Sequence, residues 1–484
     1  MGTIALTLCI AYVLALLAVE NRASRAVSLA VWIPTIWIMI GASRPLATWS
    51  TSTQVLSSSA YANNESGSAL DRWTLIALTM MGIVVLARRR FDWSRVVRRH
   101  GWLLALLSYM FLSTLWSDIT IIALKRWVRE WVAIVMALIV MSEGNPRQAL
   151  ASLFRRSAYI LIPFSLVLIK FYPAMGRRYG RYSGTEMWTG VTGQKNELGR
   201  LCMISIFFLF MALYRRWRER GPLGGRYQAW ADISIVFIGL YLLIGSSSAT
   251  SMGTLIVGIA TFLTLRRFER LRLGIPLAGL LALVLVLVAY GVSGPFLGGS
   301  GFSAFTSALG RDATLTGRTE VWADVLPARS QRPLLGYGFG SFWTDARREL
   351  YDIPTAHNGY LDILLELGEV GLAFYLIWLL SCARKLRRAM AQDYDWASFG
   401  ICLLLMVLVY NSTESALNSL ADYMTAVVVL AVFVSSSKPM IMARERGGPT
   451  DIDARKCASD VELEMVLDVS YSVVPENRCQ ASWL

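Results

Sequence analysis

The sequence is poor in charge and in the residues that build metal sites or disulfide frameworks. Asp, Glu, Lys and Arg make up 17% of its 484 residues, whereas soluble domains carry about 25%. None of its six cysteines has the spacing of a metal-ligand set or a disulfide framework. Only His100 and His357 are available for imidazole chemistry. A soluble domain, a structural zinc site and a disulfide-rich secreted scaffold are therefore disfavoured.

Long apolar runs take the place of charge. Hydrophobic residues make up 55% of the chain, and the mean hydropathy is +0.48. The apolar residues fall into thirteen stretches of roughly 15 to 20 residues, close to the length that a bilayer core requires of a helix. We therefore expect an all-α polytopic membrane bundle of about 12 or 13 transmembrane helices. The runs lie at about 3 to 19, 26 to 42, 73 to 87, 102 to 116, 128 to 142, 157 to 172, 198 to 214, 229 to 245, 249 to 265, 274 to 292, 360 to 382, 397 to 411 and 421 to 436.

The basic residues predict the orientation of the bundle, because Lys and Arg in short loops stay in the cytoplasm. One alternate set of loops is rich in arginine, and the other set is longer but poorer in charge. The second set, predicted to be external, comprises 43 to 72, 173 to 197 and 293 to 359. The basic loops, predicted to be cytoplasmic, contain Arg88, Arg89, Arg90, Arg95, Arg98 and Arg99; Arg215, Arg216, Arg218, Arg220 and Arg226; Arg266, Arg267, Arg270 and Arg272; and Arg384, Lys385, Arg387 and Arg388.

This reading divides the chain into four parts. Residues 1–292 would hold about ten transmembrane helices, 293–359 a large external loop with short helices, and 360–437 the last transmembrane helices. The remaining 438–484 is too short and polar for a domain, and we expect a disordered cytoplasmic tail.

The net charge of +14 is mostly this topological signal, together with attraction to anionic lipid. Nucleic-acid binding is disfavoured, because the basic residues form no single face interleaved with aromatic residues. The topology does not explain basic residues on the external side. Those in the loop of 173 to 197 are Arg177, Arg178, Arg181 and Lys195, and those in the long loop are Arg311, Arg318, Arg329, Arg332, Arg347 and Arg348.

The long loop has too many aromatic residues for disorder, and we expect it to fold back on the bundle. Its glycines at Gly336, Gly338 and Gly340 permit a close backbone approach. Each aromatic ring could stack on sugar or belong to a membrane-interface belt. The aromatic residues are Trp322, Tyr337, Phe339, Phe342, Trp343 and Tyr351.

Three motifs in this loop and the helix after it resemble the signature of the O-antigen ligase and polymerase superfamily. They are TGRTEVW (316 to 322), PLLGYGFGSFW (333 to 343) and AHNGYLDILLELGEVG (356 to 371). The upstream stretch RYSGTEMWTGVTGQKNELGR (181 to 200) is similar to the second external motif of the exopolysaccharide-polymerase branch. Lys195 before Asn196 suits that branch better than the ligases.

The resemblance implies an inverting glycosyltransferase without a metal or other cofactor, which polymerises undecaprenyl-diphosphate-linked repeat units into exopolysaccharide. It would act on the periplasmic face of a bacterial inner membrane, with membrane lipid, a chain-length regulator and export proteins as further partners and no nucleic acid. By residue-to-residue match, Arg318 corresponds to the family's loop arginine and His357 to its loop histidine. Both are the candidate catalytic residues. The candidate substrate-binding residues are Arg181, Lys195, Asn196, Asn358 and Glu366.

These residue types suit the chemistry. Outside the cytoplasm the donor must bring its own energy, and a sugar on a lipid diphosphate does so. Arginine can stabilise the diphosphate leaving group, because its planar fork binds phosphate oxygens and stays protonated. His357 can take the proton of an acceptor hydroxyl, and neighbouring arginines would favour its neutral form. A histidine that only bonds a helix terminus is the structural alternative.

Three acids recur one turn apart on the predicted helix after Asn358, at Asp362, Glu366 and Glu369. Such a stripe is costly at membrane depth unless it faces partners or water. We expect Glu366 to orient His357 or to pair with Arg318, and the other two acids to lie on a wet surface.

Two other functions remain open. A ligase would move the glycan to lipid A core or to protein. A flippase of lipid-linked oligosaccharide would also need many helices with basic cavities, but we expect it to place charge along a central path and to lack one long external loop.

Overall fold

The computed structural model describes residues 1–50, 68–89, 92–179, 184, 186–219, 226–271, 274–296, 318–351 and 353–436. Within these ranges the protein is a bundle of helices with one two-stranded hairpin. The predicted tail of 438–484 and the first part of the long loop, 297–317, lie outside the described residues.

The helices of the first half of the chain alternate between long apolar elements and short connecting elements. The strands β1 and β2 pair antiparallel, with Arg177 opposite Trp188 and Tyr179 opposite Glu186. The elements are α1 (Gly2–Ala23), α2 (Trp32–Gly41), α3 (Ala47–Ser50), α4 (Ala69–Ala87), α5 (Trp93–Arg99), α6 (Gly101–Ser113), α7 (Thr120–Met141), α8 (Pro146–Phe171), α9 (Pro173–Gly176), β1 (Arg177–Tyr179) and β2 (Glu186–Trp188), with single 3-10 turns at Leu29–Val31 and Thr114–Trp116.

The second half of the chain carries the rest of the bundle. Two short helices, α14 and α15, lie in the described part of the long loop, as the sequence predicted. The elements are α10 (Lys195–Glu219), α11 (Arg226–Gly245), α12 (Ala249–Arg270), α13 (Leu277–Phe296), α14 (Arg318–Gln331), α15 (Asp345–Tyr351), α16 (Gly359–Ala389), α17 (Tyr394–Tyr410) and α18 (Tyr423–Ser436).

Each of the thirteen predicted apolar runs coincides with a helix. Seven described helices, namely α1, α4, α8, α10, α11, α12 and α16, are long and apolar enough to cross a membrane, and five more are shorter but apolar. The helix of the remaining run, α7, is not among these twelve, because its first half is charged. The chain is therefore an all-α polytopic membrane protein.

Polar side chains set several helix starts. Asn145 accepts a hydrogen bond from the backbone of Gln148 at 3.1 Å, and Pro146 follows it at the first helical position, where a missing N–H costs nothing. Asp393 caps α17 by accepting from Trp396 at 3.1 Å. Such caps satisfy backbone donors that a helix end leaves without partners.

The centre of the bundle is built from α8, α10, α17 and α18, whose side chains are almost all buried. Aromatic rings stack across three of these helices: Phe207 lies 5.8 Å from Phe399, and Phe154 lies 4.9 Å from Phe208. By contrast α1 and α4 are mostly exposed within the chain. Apolar surface of this extent on a multi-pass protein is suited to contact with lipid.

Long-range contacts bring one set of connections together at one end of the bundle, which we call the site end. It comprises the described residues within 42–46, 117–119, 172–194, 246–248, 332–358 and 411–422. The backbone of Arg44 bonds Val191 at 3.0 Å, and Gly359 bonds Asn411 at 3.0 Å. The arginine-rich connections meet at the opposite end, where Arg147 pairs with Asp393 at 2.9 Å. The two sets of loops that the charge pattern separated are therefore at different ends of the bundle.

Candidate functional site

A histidine, a glutamate and an asparagine from three separate parts of the chain meet at the site end. His357 lies just before α16, and its Nδ1 is 3.4 Å from Oε2 of Glu414. The other oxygen, Oε1, accepts a 2.6 Å hydrogen bond from Nδ2 of Asn196 at the start of α10. Glu414 therefore bridges His357 and Asn196 with its two oxygens. We call these three residues the carboxylate bridge.

The carboxylate bridge is accessible on the histidine side. The His357 side chain is 25% exposed and that of Glu414 is 10% exposed, so a substrate group can reach the imidazole while the carboxylate stays mostly dry. His357 also has φ of +48°, a left-handed conformation that is rare for a residue with a Cβ. Such strain persists only where surrounding contacts hold the backbone in place, and it occurs preferentially at functional sites.

Two buried asparagines hold the backbone on either side of the bridge. Asn358 Oδ1 accepts from the N–H groups of Tyr360 and Leu361, both at 3.0 Å, and so caps α16. Asn411 Oδ1 accepts from Ala416 and Leu417 at 2.9 and 2.8 Å. The predicted substrate-binding residue Asn358 is fully buried in this cap, and its contacts are structural.

Asp362 ties three segments of the site together from inside. Its Oδ1 accepts from the indole Nε1 of Trp343 at 2.8 Å and from the backbone N–H of Ala356 at 3.1 Å. Its Oδ2 accepts from the hydroxyl of Ser415. Asp362 is fully buried, so our expectation of a wet surface was wrong for this residue. The carboxylate is buried because it serves as the acceptor for residues adjacent to both His357 and Glu414.

The helix that carries these acids is broken. Gly368 has φ of +66° and ψ of −166° inside α16, a conformation open only to glycine. The freed backbone groups pair with the long loop: Leu365 accepts from Tyr337 at 2.9 Å, and Glu366 accepts from Gly338 at 2.7 Å. The predicted acidic stripe therefore ends at Glu366. Glu369 lies beyond the break and is 50% exposed, as expected of a wet surface.

The three loop glycines permit this pairing. Gly336, Gly338 and Gly340 have φ of +66°, +93° and +63°, and the close backbone approach that the sequence predicted is confirmed. Gly340 donates its N–H to Oε2 of Glu366 at 3.1 Å, while its carbonyl accepts from Arg126 of α7. Glu366 is buried, and its described hydrogen bond is to the loop backbone. The structure thus gives Glu366 a loop-holding contact in place of the predicted one with His357.

The loop aromatics fold inward, as predicted, but for five of the six neither predicted use of the ring applies. Five of the six are at most 5% exposed, so they can neither stack on a sugar nor lie in an interface belt. They pack against Leu361 and Leu365 of α16, except Phe339, which joins the main core. Trp322 also donates its indole N–H to the carbonyl of Ala356 at 2.9 Å. The buried rings are Trp322, Tyr337, Phe339, Phe342 and Trp343.

Most of the described loop arginines are engaged in ion pairs. Arg332 and Arg347 lie 3.2 and 3.0 Å from Asp118, and their guanidinium carbons lie 4.5 Å from the ring centre of Tyr337. Arg329 pairs with Glu369 at 2.6 Å. These arginines fold the loop and are poor candidates for binding a phosphate.

Arg318 is the first residue of α14, and the structure describes its backbone but not its side chain. Trp322 lies one turn further along and bonds the residue before His357. The second turn of α14 therefore contacts the segment that carries His357. Lys195 and Asn196 open α10, and Arg181 lies outside the described residues.

Two arginines that the sequence analysis did not single out lie near the start of α10. Arg200 is buried and pairs with Asp422 at 2.8 Å. Arg44 donates to the carbonyls of Met175 at 2.6 Å and Val191 at 3.3 Å, and also to that of Gly190. Burial, together with the nearby positive charge of Arg178, lowers the pKa of Arg44 to about 10.

Glu414, Asp422 and Arg200 were missed because nothing in the sequence distinguishes them from the other charged residues of the chain. A usable signal existed in NSTESALNSLAD (411 to 422), a polar connection between two apolar runs on the predicted external side. Among the described side chains, the charged group that contacts His357 is Glu414; the side chains of Arg181 and Arg318 lie outside the described residues. Among the described residues, no three His, Cys, Asp or Glu side chains are grouped so that they could hold a metal ion.

The fold and the site define a multi-pass membrane protein with a histidine–carboxylate site under a folded loop. Residues 234–376 match the O-antigen ligase family (Wzy_C). The chain is also 26% identical over 338 residues to the exopolysaccharide production protein ExoQ of Rhizobium meliloti (strain 1021), covering 65% of this chain and 73% of that protein. These matches confirm the resemblance that the motifs predicted. Residues 234–376 are therefore similar to an O-antigen ligase domain, and this similarity implies a membrane glycosyltransferase-like activity.

Proposed function

We propose that the protein joins polyprenyl-diphosphate-linked oligosaccharide repeat units into an exopolysaccharide. The family match implies lipid-linked glycan substrates in general, and the similarity to an exopolysaccharide production protein favours polymerisation. The observation that carries the proposal is the contact of His357 with Glu414, because it arranges an imidazole as a base.

In this arrangement Glu414 accepts a hydrogen bond from Nδ1–H of His357 and leaves the lone pair of Nε2 for the substrate. A separation of 3.4 Å is long for such a bond, and catalytic hydrogen bonds commonly tighten only when substrate binds. Asn196 holds the second carboxylate oxygen at 2.6 Å and so limits rotation of Glu414. A third group that orients a base in this way is a recurrent catalytic device.

The reaction then needs one proton transfer and one displacement. Nε2 of His357 removes the proton of an acceptor sugar hydroxyl. The hydroxyl oxygen bonds the anomeric carbon of the donor from the face opposite the lipid diphosphate. The bond from that carbon to the phosphate oxygen breaks, and polyprenyl diphosphate departs with the electron pair. Because the attack and the departure are on opposite faces, the anomeric configuration inverts.

The departing diphosphate needs positive charge, and arginine supplies it without a proton to lose. We assign this role to Arg318 and Arg181, with Lys195 at the start of α10. The backbone supports the choice of Arg318, because α14 begins one turn before Trp322, which contacts the residue preceding His357. No metal ion is required in this scheme.

We place the site on the periplasmic side of the bacterial inner membrane. The arginine-rich connections lie at the opposite end of the bundle from the carboxylate bridge, and such connections stay in the cytoplasm. The chemistry of the substrate supports the same side. Nucleotide sugars are absent outside the cytoplasm, and a sugar linked to a lipid diphosphate carries its own leaving group.

An O-antigen ligase reaction is the second candidate, because the family model over residues 234–376 carries that name. The base and the leaving group would be the same, and only the acceptor would differ. The lipid-linked glycans of a strain that lacks this protein separate the two functions. Single repeat units on the lipid support the polymerase, whereas long chains that remain on the lipid support the ligase and contradict our proposal.

The same strain tests the carboxylate bridge. We expect His357→Ala to abolish long chains and Glu414→Gln to lower their synthesis by about 10²-fold or more, because the amide cannot hold the imidazolium that forms. The measurement is chain length by gel electrophoresis, at protein amounts matched by immunoblot. Glu369→Gln is the control, since Glu369 is half exposed and its described ion pair is with Arg329. Normal chains in His357→Ala would remove the proposed base from the reaction.

A further inference from the structure

The half of α7 nearest the site end presents an exposed face of mixed aliphatic and basic residues. The exposed positions follow the spacing of one helical face, with steps of three and four residues. The face carries no acid. We call it the α7 strip, and its residues are Ile121, Leu124, Lys125, Val128 and Arg129.

The two cations of the strip lie unusually far along a helix that continues into the apolar part of the bundle. Arg129 is nine residues beyond the first residue of α7, so it lies about 14 Å along the helix. Beyond Glu130 the helix is mostly buried by its neighbours and is apolar to its end. A cation at such a depth in a membrane protein is costly unless it faces water or an anion. The strip is therefore better suited to a charged ligand than to the hydrocarbon of neutral lipid.

The two cations of the strip also differ from the loop arginines in their pairing. Arg332 and Arg347 share the carboxylate of Asp118. Neither Lys125 nor Arg129 has a carboxylate within 4.0 Å among the residues that the structure describes. The positive charge of the strip is thus available to an incoming anion.

The neighbouring face of the same half-helix contacts the candidate site. Arg126 donates to the carbonyl of Gly340. Glu130 is fully buried and accepts from the hydroxyl of Ser419 at 2.8 Å and from the backbone of Leu420 at 2.5 Å and Ala421 at 3.2 Å. These bonds hold the connection that carries Glu414. One helix therefore borders the site on one face and carries unpaired positive charge on the next.

We propose that the α7 strip binds the diphosphate and the first isoprenoid units of a polyprenyl diphosphate substrate as it arrives from the bilayer, before that diphosphate reaches Arg318, Arg181 and Lys195 for the reaction. Lys125 and Arg129 are one turn apart and can contact both phosphates, while Ile121, Leu124 and Val128 cover the hydrocarbon next to them. A protein partner would place apolar surface against the two cations of the strip, and a neutral lipid would offer these cations no anion. The assignment rests on the proposed function, which requires such a substrate to reach the site from the bilayer.

Binding tests the strip directly. The probe is undecaprenyl diphosphate without sugar, titrated by native mass spectrometry against the full-length protein in detergent. Each basic residue near an anionic lipid contributes about 1 kcal/mol, so the double change Lys125→Gln with Arg129→Gln should weaken binding about 30-fold. Arg98→Gln with Arg267→Gln removes the same charge from exposed positions at the opposite end of the bundle and should leave affinity unchanged.

Two results would overturn the assignment. The first is unchanged affinity for the probe in the Lys125→Gln and Arg129→Gln protein, provided that it elutes as a single peak like the control. The second is an equal loss of binding to dioleoyl phosphatidylglycerol, which would make the strip a general site for anionic lipid. His357→Ala keeps these outcomes separate from the proposed function: it should bind the probe normally, and if it still makes long chains, the mechanism fails while the strip remains valid.

Discussion

Removing the buried carboxylate of Asp362 should destabilise the folded protein around the candidate site. In Asp362→Ala, the indole N–H of Trp343 and the backbone N–H of Ala356 lose their acceptor. A buried donor without a partner costs about 1–3 kcal/mol, so the two donors together predict about 2–6 kcal/mol of destabilisation. Asp362→Asn keeps one acceptor oxygen, and its amide can donate to the hydroxyl of Ser415. We expect it to cost about 1 kcal/mol.

The assay is unfolding of the purified protein in detergent, followed by tryptophan fluorescence. Glu369→Ala is a matched control on the same helix: its ion pair with Arg329 is half exposed, and such pairs contribute about 0–1 kcal/mol. The expected order of midpoints is Asp362→Ala far below Asp362→Asn, with Asp362→Asn and Glu369→Ala close to wild type. If Asp362→Ala unfolds together with Glu369→Ala, the three-way hydrogen bonding of this carboxylate does not support the site.

Two further predictions concern backbone contacts at the site end. Gly368→Ala should destabilise the protein and abolish long chains, because a Cβ at φ of +66° would overlap the carbonyl of Leu334. Gly41→Ala is the control, since the space around its Cβ is open. Equal unfolding midpoints for the two variants would contradict this reasoning. Arg44→Lys should speed trypsin cleavage of the β-hairpin after α9, because an ammonium cannot bond all three carbonyls that the guanidinium holds. Arg72→Lys is the exposed control, and equal cleavage rates on a gel time course would show that Arg44 does not restrain the hairpin.

The helices were predictable from the sequence because each apolar run is a local signal. Length and hydropathy identify a helix without knowledge of its neighbours. The first half of α7 shows the limit of this signal. Its charges moved the predicted run to 128–142, whereas the helix begins at Thr120. Contacts of Arg126 and Glu130 with distant segments stabilise the charged half, and no local pattern reports such contacts.

The break in α16 was also outside the reach of periodicity. The residues around Gly368 continue the helical spacing of apolar and acidic side chains, so the pattern predicts one straight helix with a triple acidic stripe. The loop of Gly336, Gly338 and Gly340 supplies the N–H groups and carbonyls that the broken turn needs. These partners are separated by about 30 positions in the sequence. The glycine spacing predicted a close approach but not what the loop approaches.

The candidate site was predictable only where a residue type was scarce or a residue belonged to a motif. His357 stood out because the chain has two histidines, and Asn196 stood out through its motif. Glu414 is one of 33 acids in the chain, and only the fold places it beside His357. The wrong prediction for Asp362 has the same cause, because a carboxylate at the start of a helix is exposed by default unless distant donors surround it.

The fixed backbone around the carboxylate bridge bears on catalysis. Asn358, Asn411 and Asp362 direct their side-chain oxygens at backbone or indole N–H groups, so the ends of α16 and of the connection after α17 are held before any substrate arrives. Groups held in this way need little reorganisation when charge develops in a transition state. The left-handed backbone of His357 is part of the same arrangement, because its strain is opposed by the cap that follows it. The site therefore depends on buried polar contacts that never touch the glycan.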